Sequence, residues 1–376
     1  MQLEKTYPDL VCQVNSIINI IVYLNEPLSM IQRFAEVFQY AQLLTRAGKE
    51  SNPHLRIALV AAFCVAGFNN NVYRTTKFFN PILGETYELI DNELGFRYFG
   101  EQVSHHPAIS AMHVEGVDYK IYANTNAKSK FDLLSNSLVF EPIGRTFVNF
   151  TNFDNELISY TKPDAIVRNI MFGQMNIDTA GKSILTNHNN GDTVELNFYE
   201  KGRPSADDQG VIFGELRDID GVERMKFSGN WKSHLMITYT DENGNEVSET
   251  IWKTNLTQDS IEDHEKKYFF SDYAINLNND DETLLRTLPR TDSRLRPDQR
   301  ALERQDIELA SKEKLRLEEK QRGRRKDEEN HKRIYKPLYF TETYDDLTGE
   351  LVYIYSRDYW EDKKNGKLDH FFDIYS

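Results

Sequence analysis

The chain has 376 residues, enough for one large domain or two smaller ones, and its 22 Phe and 20 Tyr favour a strand-rich fold or a large apolar cavity. Its 59 acidic and 45 basic side chains give a formal charge of −14, which repels phosphate backbones at long range and excludes general nucleic-acid binding. An anionic ligand must then be met by a local basic site, so clusters of Lys, Arg and His are informative.

In chain order, residues 1–24 have no clear period, and Val11 to Leu24 reads as a strand or an interfacial segment. Ser29 and Gln32 have capping-box spacing and open a helix whose apolar stripe is Ile31, Phe34, Phe38, Ala41 and Leu44, with Gly48 at its end. Asn52-Pro53 starts a second helix, apolar on nearly every side from Leu55 to Ala66, which predicts enclosure by the rest of the protein. From about Tyr87 to Lys253 the pattern changes to strands and tight turns. Val194, Leu196 and Phe198 alternate with polar residues after Asn190-Gly191, and Leu235, Ile237 and Tyr239 do so before Asn243-Gly244. An antiparallel meander closing into a barrel around the apolar helix accounts for both patterns. Thr291 to Arg333 is highly charged and reads as solvated loop and helix. Strand-like patterns then resume around Thr348-Gly349, so the tail is expected to pack back onto the main body.

Two cysteines, Cys12 and Cys64, make no disulfide framework and fit a reducing compartment. No secretory signal is visible, and the longest apolar run, Ile57 to Phe68, is too short to span a bilayer. A cytoplasmic, non-spanning protein is expected.

Three stretches carry possible chemistry. In Glu101 to Ser110, His105 and His106 precede Pro107. Adjacent residues of a strand point to opposite sides, but the proline restricts the backbone before it. The pair offers N–H donors and partial charge to a phosphate near neutral pH; equally, one ring can be buried and satisfied while the other is solvated. No second ligand lies at a familiar metal spacing, and no nucleophile elbow accompanies Ser104. In Lys77 to Glu88, Asn80-Pro81 and Gly84 mark a turn into a strand, and Lys77 and Asn80 are three apart; an ordinary polar connection reads the same way. Lys314, Glu318 and Arg322 share one helical face, which is also the pattern of a surface ion-pair ladder.

The order of Asn25-Glu26-Pro27-Leu28-Ser29, Lys77 to Glu88, Glu101 to Ser110 and Thr291 to Asp298 resembles the oxysterol-binding-protein-related family, nearest to its sterol and phosphatidylinositol 4-phosphate exchangers. The resemblance implies an α+β, mainly β fold: a large incomplete antiparallel β-barrel around a central apolar helix, with flanking helices. It divides the chain into a divergent segment, 1–24, standing where the family has its lid, and a lipid-binding domain, 25–376. The implied head-group residues are Lys77, Asn80, His105, His106, Lys314, Glu318 and Arg322, with no catalytic residue, cofactor or metal. The implied function is exchange of phosphatidylinositol 4-phosphate for a second lipid, a sterol, by a monomer touching membranes peripherally or at contact sites. The alternative is a phosphoinositide sensor without net transport. Ala108 stands where the family has a second proline, and the family's Trp-containing lid phrase is absent before Asn25. His370-Phe371-Phe372-Asp373 faintly resembles a receptor-docking motif, but without the acidic first position a packed terminal segment is the better reading.

Overall fold

The computed structural model describes residues 22–133, 135–198, 209–256, 264, 267–332, 335–368, 371 and 373–376. Almost all of the 1–24 segment, and with it the question of a lid, lies outside them.

The capping box forms as the spacing predicts. The Ser29 backbone N–H donates to Gln32 Oε1 at 2.9 Å and starts α1 (Met30–Glu36). The single helix expected up to Gly48 is instead α1 and α2 (Ala41–Ala47), joined by a 3-10 turn at Val37–Tyr40. Two aromatic anchors account for the break. Phe38 packs among Phe63, Phe96 and Tyr98, while Tyr40 meets Trp252 edge-on, and a tightened turn serves both directions. Asn52 caps α3 (Pro53–Asn69), its Oδ1 accepting from the His54 N–H at 2.9 Å. Every residue of α3 from Arg56 to Ala66 is buried, as the all-round apolar pattern requires.

Two short parallel strands, β1 (Asn25–Ser29) and β2 (Lys77–Phe79), lie outside the main sheet. That sheet begins with β3 (Thr86–Asp91), β4 (Phe96–His105), β5 (Ala108–Gly116) and β6 (Tyr119–Asp132). It continues through β7 (Ser137–Ile143), β8 (Thr146–Phe150), β9 (Glu156–Tyr160) and β10 (Asp164–Arg168). β11 (Asn176–Asn187), β12 (Thr193–Phe198), β13 (Val211–Arg217), β14 (Glu223–Asn230), β15 (His234–Thr240) and β16 (Glu246–Lys253) complete its 14 strands. Neighbours are antiparallel throughout, and β3 and β16 end the path. The sheet forks in its middle. The first half of β6 pairs with β8 and its second half with β7; β11 pairs first with β10 and then with β9. The mainly β, barrel-like architecture around an apolar helix is therefore the observed one. α3 packs on β11, β12, β15 and β16 within one core that also takes in α1 and α2.

A second core lies on the other face of β4 and β5. Phe99, Val103 and Ala111 are covered there by Tyr339, Phe340, Tyr353, Tyr359, Trp360 and Phe371. The hairpin of β17 (Phe340–Tyr344) and β18 (Leu351–Tyr355), with the segments on either side of it, brings these aromatics back, as expected of the tail. Phe371 is 3% exposed and stacks on Tyr339; His370 and Phe372 lie outside the described residues.

One expectation is overturned. Thr291 to Arg300 is not solvated: Asp292, Arg294, Arg296, Asp298 and Gln299 are all buried. Each charge there has a partner, which is what makes burial tolerable. Arg294 pairs with Asp292, Arg296 pairs with both Asp298 and Glu85, and Arg300 donates to the Arg294 and Asn278 carbonyls. The segment seals the β3 edge, where the Thr86 N–H donates to the Thr291 carbonyl at 2.9 Å. It leads through α4 (Pro297–Glu303) into α5 (Ile307–Asn330), which does expose most of its length.

Candidate head-group site

Three elements far apart in sequence meet at one end of the sheet: β2, the β4–β5 turn and α5. β4 and β5 are joined by a two-residue turn, His106-Pro107, with His105 opposite Ala108. Because His106 falls in the turn and not in a strand, the usual alternation is lost. The two rings come together, edge to face, with centroids 4.7 Å apart.

α5 crosses over this turn. Gln321 bridges them: its Oε1 accepts from the Leu83 N–H at 2.9 Å, which leaves its amide nitrogen to donate to His105 Nε2 at 2.5 Å. His105 therefore carries its proton on Nδ1, and that atom is buried with no hydrogen-bond partner among the described residues. Burial, then His106, then Arg325 hold the His105 ring down at about 4, so it is neutral near pH 7. His106 is exposed, and slight burial followed by Arg325 also lowers it.

Lys314 and Glu318, one turn apart on α5, make a 2.8 Å ion pair. Lys314 is only 9% exposed while the Glu318 side chain is 43% exposed, so the pair is anchored at its buried lysine end. Lys77 sits close by at the start of β2. Burial lowers its amine to about 8, Lys314 adds to the shift and Glu318 opposes it. Two cations are thus crowded around one carboxylate, an arrangement that disfavours the empty site and favours an added anion.

Of the seven residues singled out from sequence, Lys77, Lys314 and Glu318 form one cluster, and His105 and His106 form another that Gln321 ties to the same helix. Asn80 and Arg322 are exposed, and among the described residues neither side chain makes a hydrogen bond or ion pair. Sequence reasoning missed Gln321 and Arg325. Their spacing of seven and eleven from Lys314 places them on the same face of α5, which was the signal available.

The surrounding frame is polar and buried. Arg296 donates to the Asn80 carbonyl at 3.0 Å, and Glu85 accepts from the Ile82 N–H at 3.0 Å, so the turn after β2 hangs on the buried ion network. Gly84 has φ +86°, and a Cβ there would come within 3.0 Å of the Tyr335 hydroxyl. The positive φ favours glycine, and a side chain there would also have to displace the Tyr335 hydroxyl. Tyr335 in turn donates to Glu101, which also accepts from the Leu338 and Tyr339 N–H groups. Glu101 thereby anchors the start of the C-terminal tail beneath the histidine strand.

The mainly β fold is shared with solved structures of ORD domains. The Osh1 ORD domain in complex with cholesterol matches with a TM-score of 0.84 and 31% identity, over 94% of this chain and 86% of that one. The Osh3 ORD in complex with PI(4)P, from Saccharomyces cerevisiae, matches with a TM-score of 0.78 and 29% identity, over 94% and 90%. The family model described as oxysterol-binding protein matches residues 15–364. The chain belongs to the oxysterol-binding protein family. Among its relatives, oxysterol-binding protein-related protein 1B of Arabidopsis thaliana is 35% identical over 94% of this chain and 70% of its own length. Human oxysterol-binding protein-related protein 1 is 34% identical over 90% of this chain, which spans 39% of that relative.

Proposed function

We propose that this chain binds phosphatidylinositol 4-phosphate and exchanges it between membranes for a second lipid, a sterol. The observation that carries this reading is the convergence of Lys77 and Lys314 around Glu318, beside a histidine pair held by the same helix, in a protein of net charge −14. A phosphomonoester carries about −1.5 to −2 near pH 7. Two lysines beside Glu318 leave a net charge of about +1, Glu318 keeps the lysines apart and oriented, and the histidine pair adds N–H donors. The phosphate would supply the acceptor that His105 Nδ1 lacks and would draw a proton onto the exposed His106 ring. Asn80 and Arg322, exposed at the rim, complete the contacts.

Acyl chains withdrawn from a membrane cost about 0.8 kcal/mol per exposed CH₂, so a carrier must enclose them; apolar inner strand faces suit that task. The Osh1 and Osh3 domains, in complex with sterols and PI(4)P respectively, support both ligands by kinship. Binding, charge neutralisation and enclosure account for the whole cycle without a covalent step.

The test is phosphatidylinositol 4-phosphate transfer between liposomes by the wild type and the His105→Ala/His106→Ala variant, with and without sterol in the acceptor. Fast transfer, lost in the variant and accelerated by sterol, is expected. The variant should keep sterol binding, since a sterol has no phosphate. Binding without transfer would mean a sensor, and loss of both lipids together would make the histidine pair structural.

A further inference from the structure

The fork in the sheet builds a small branch of the second half of β6, β7, β10 and the first part of β11. Strand register places its tip. Ser110 of β5 stands opposite Thr125 of β6, so the histidine turn lies level with about residue 129. β6 continues to Asp132, about three residues and roughly 10 Å further in the same direction. The β6–β7 turn and the β10–β11 loop both close at this end. The tip therefore lies at the same end of the sheet as the histidine turn.

This tip is apolar and exposed: Leu133 is 49% exposed, Met171 58% and Phe172 71%. The exposure is held in place by the fold. The buried Asn136 accepts from the Met171 N–H at 2.9 Å and donates to the Phe172 carbonyl at 2.8 Å, and its own carbonyl accepts from the Ile170 N–H. With the backbone satisfied in this way, the two side chains point outward from a fixed loop. Behind them, Lys128 and Lys130 are exposed, and among the described residues neither pairs with a carboxylate. The charge behind the tip is mixed, however: Glu141 stands across from Lys128, and Arg168 is paired with Asp178 at 3.3 Å. Exposed Val117, Ile219 and Val222 lie in turns at the other end of the sheet.

An apolar point backed by unpaired lysines is the pattern of a segment that enters the interfacial layer of an anionic bilayer. We propose that Leu133, Met171 and Phe172 insert into the membrane surface while Lys128 and Lys130 meet its anionic head groups, which sets the histidine turn against the bilayer holding its lipid. The occupant is a lipid surface, and the inference rests on the phosphoinositide reading only for what the docked site then collects.

The experiment measures partitioning of the full chain onto vesicles of phosphatidylcholine and phosphatidylserine that contain no phosphoinositide, and separately its binding of a short-chain, water-soluble phosphatidylinositol 4-phosphate. Met171→Asp/Phe172→Asp should weaken partitioning by about tenfold or more, because two apolar side chains become charged. Lys128→Glu/Lys130→Glu should weaken it to a similar extent, and on phosphatidylcholine alone that variant should match the wild type. Both variants should melt like the wild type and bind the short-chain lipid normally. Unchanged vesicle partitioning in the aspartate variant, or loss of short-chain binding with it, would overturn the proposal. Failure of the wild type to bind the short-chain lipid would instead count against the head-group reading and leave the vesicle result standing.

Discussion

Replacing Lys77 with methionine should make the empty protein more stable and the loaded protein weaker. Methionine keeps the length and apolar stem of the side chain and removes only the amine. Burial and the neighbouring Lys314 lower that amine from 10.5 to about 8. At pH 7 Lys77 is charged in both folded and unfolded chains, so the depression measures what holding the charge costs the fold, up to about 3 kcal/mol. The sign follows from proton counts. Between pH 8 and 10.5 the unfolded chain binds more protons at this position, so wild-type stability should gain from this residue as pH rises through that window. Lys77→Met should carry the gain already at pH 7 and lack the rise. Denaturant unfolding of both proteins from pH 7 to 10 reads the difference directly. Head-group affinity should move the other way: loss of a charge-assisted contact worth about 1.5–3 kcal/mol weakens binding about 10- to 100-fold. Above pH 8 wild-type affinity should fall as binding begins to require proton uptake, by at most about tenfold per pH unit. A methionine variant that is less stable at pH 7, or that binds phosphatidylinositol 4-phosphate as well as the wild type, would refute this account of the site.

Gln321→Ala removes the amide that orients His105 and should weaken phosphoinositide binding by about tenfold, one hydrogen bond's worth, while sterol binding by the same protein stays unchanged. His105, held neutral with its ring at about 4, should cost stability as pH falls from 6.5 towards 4, because the unfolded chain takes up the proton first. Acid unfolding of His105→Gln should lack that component. Arg74 is buried between Glu26 and Glu36, and Arg74→Met leaves those two buried carboxylates to share Arg33. A loss of about 3–5 kcal/mol is expected in denaturant unfolding. Phe99→Ala empties the place where Phe99 stacks on Tyr359 with centroids 4.0 Å apart, and should cost about 3–5 kcal/mol while loosening the C-terminal tail to proteolysis.

Local chemistry was legible because it is written in neighbouring residues. The Ser29–Gln32 capping box, the Asn52 cap and the alternation after Asn190-Gly191 depend on spacings of two to four, and each formed as its spacing requires. The all-round apolar helix announced its own burial. The broken first helix was not legible, since Phe38 and Tyr40 are drawn to rings far away in the chain. Thr291 to Arg300 misled for a related reason. A charged run reads as solvated until its partners, Glu85 above all, arrive from 211 residues upstream.

By itself, the sequence determined the elements, the need for a local basic site in an acidic chain, and the histidine, lysine and α5 motifs with their family resemblance. Only the tertiary structure decided that these motifs share one end of a forked sheet, that Gln321 sets the tautomer of His105, and that an exposed apolar tip lies at that same end. The physical reason is range. Caps, strand alternation and helical faces are settled within a few residues by backbone geometry. The depressed lysine, the orphan imidazole nitrogen and the direction of the tip arise from burial and strand register, which exist only once distant segments have packed.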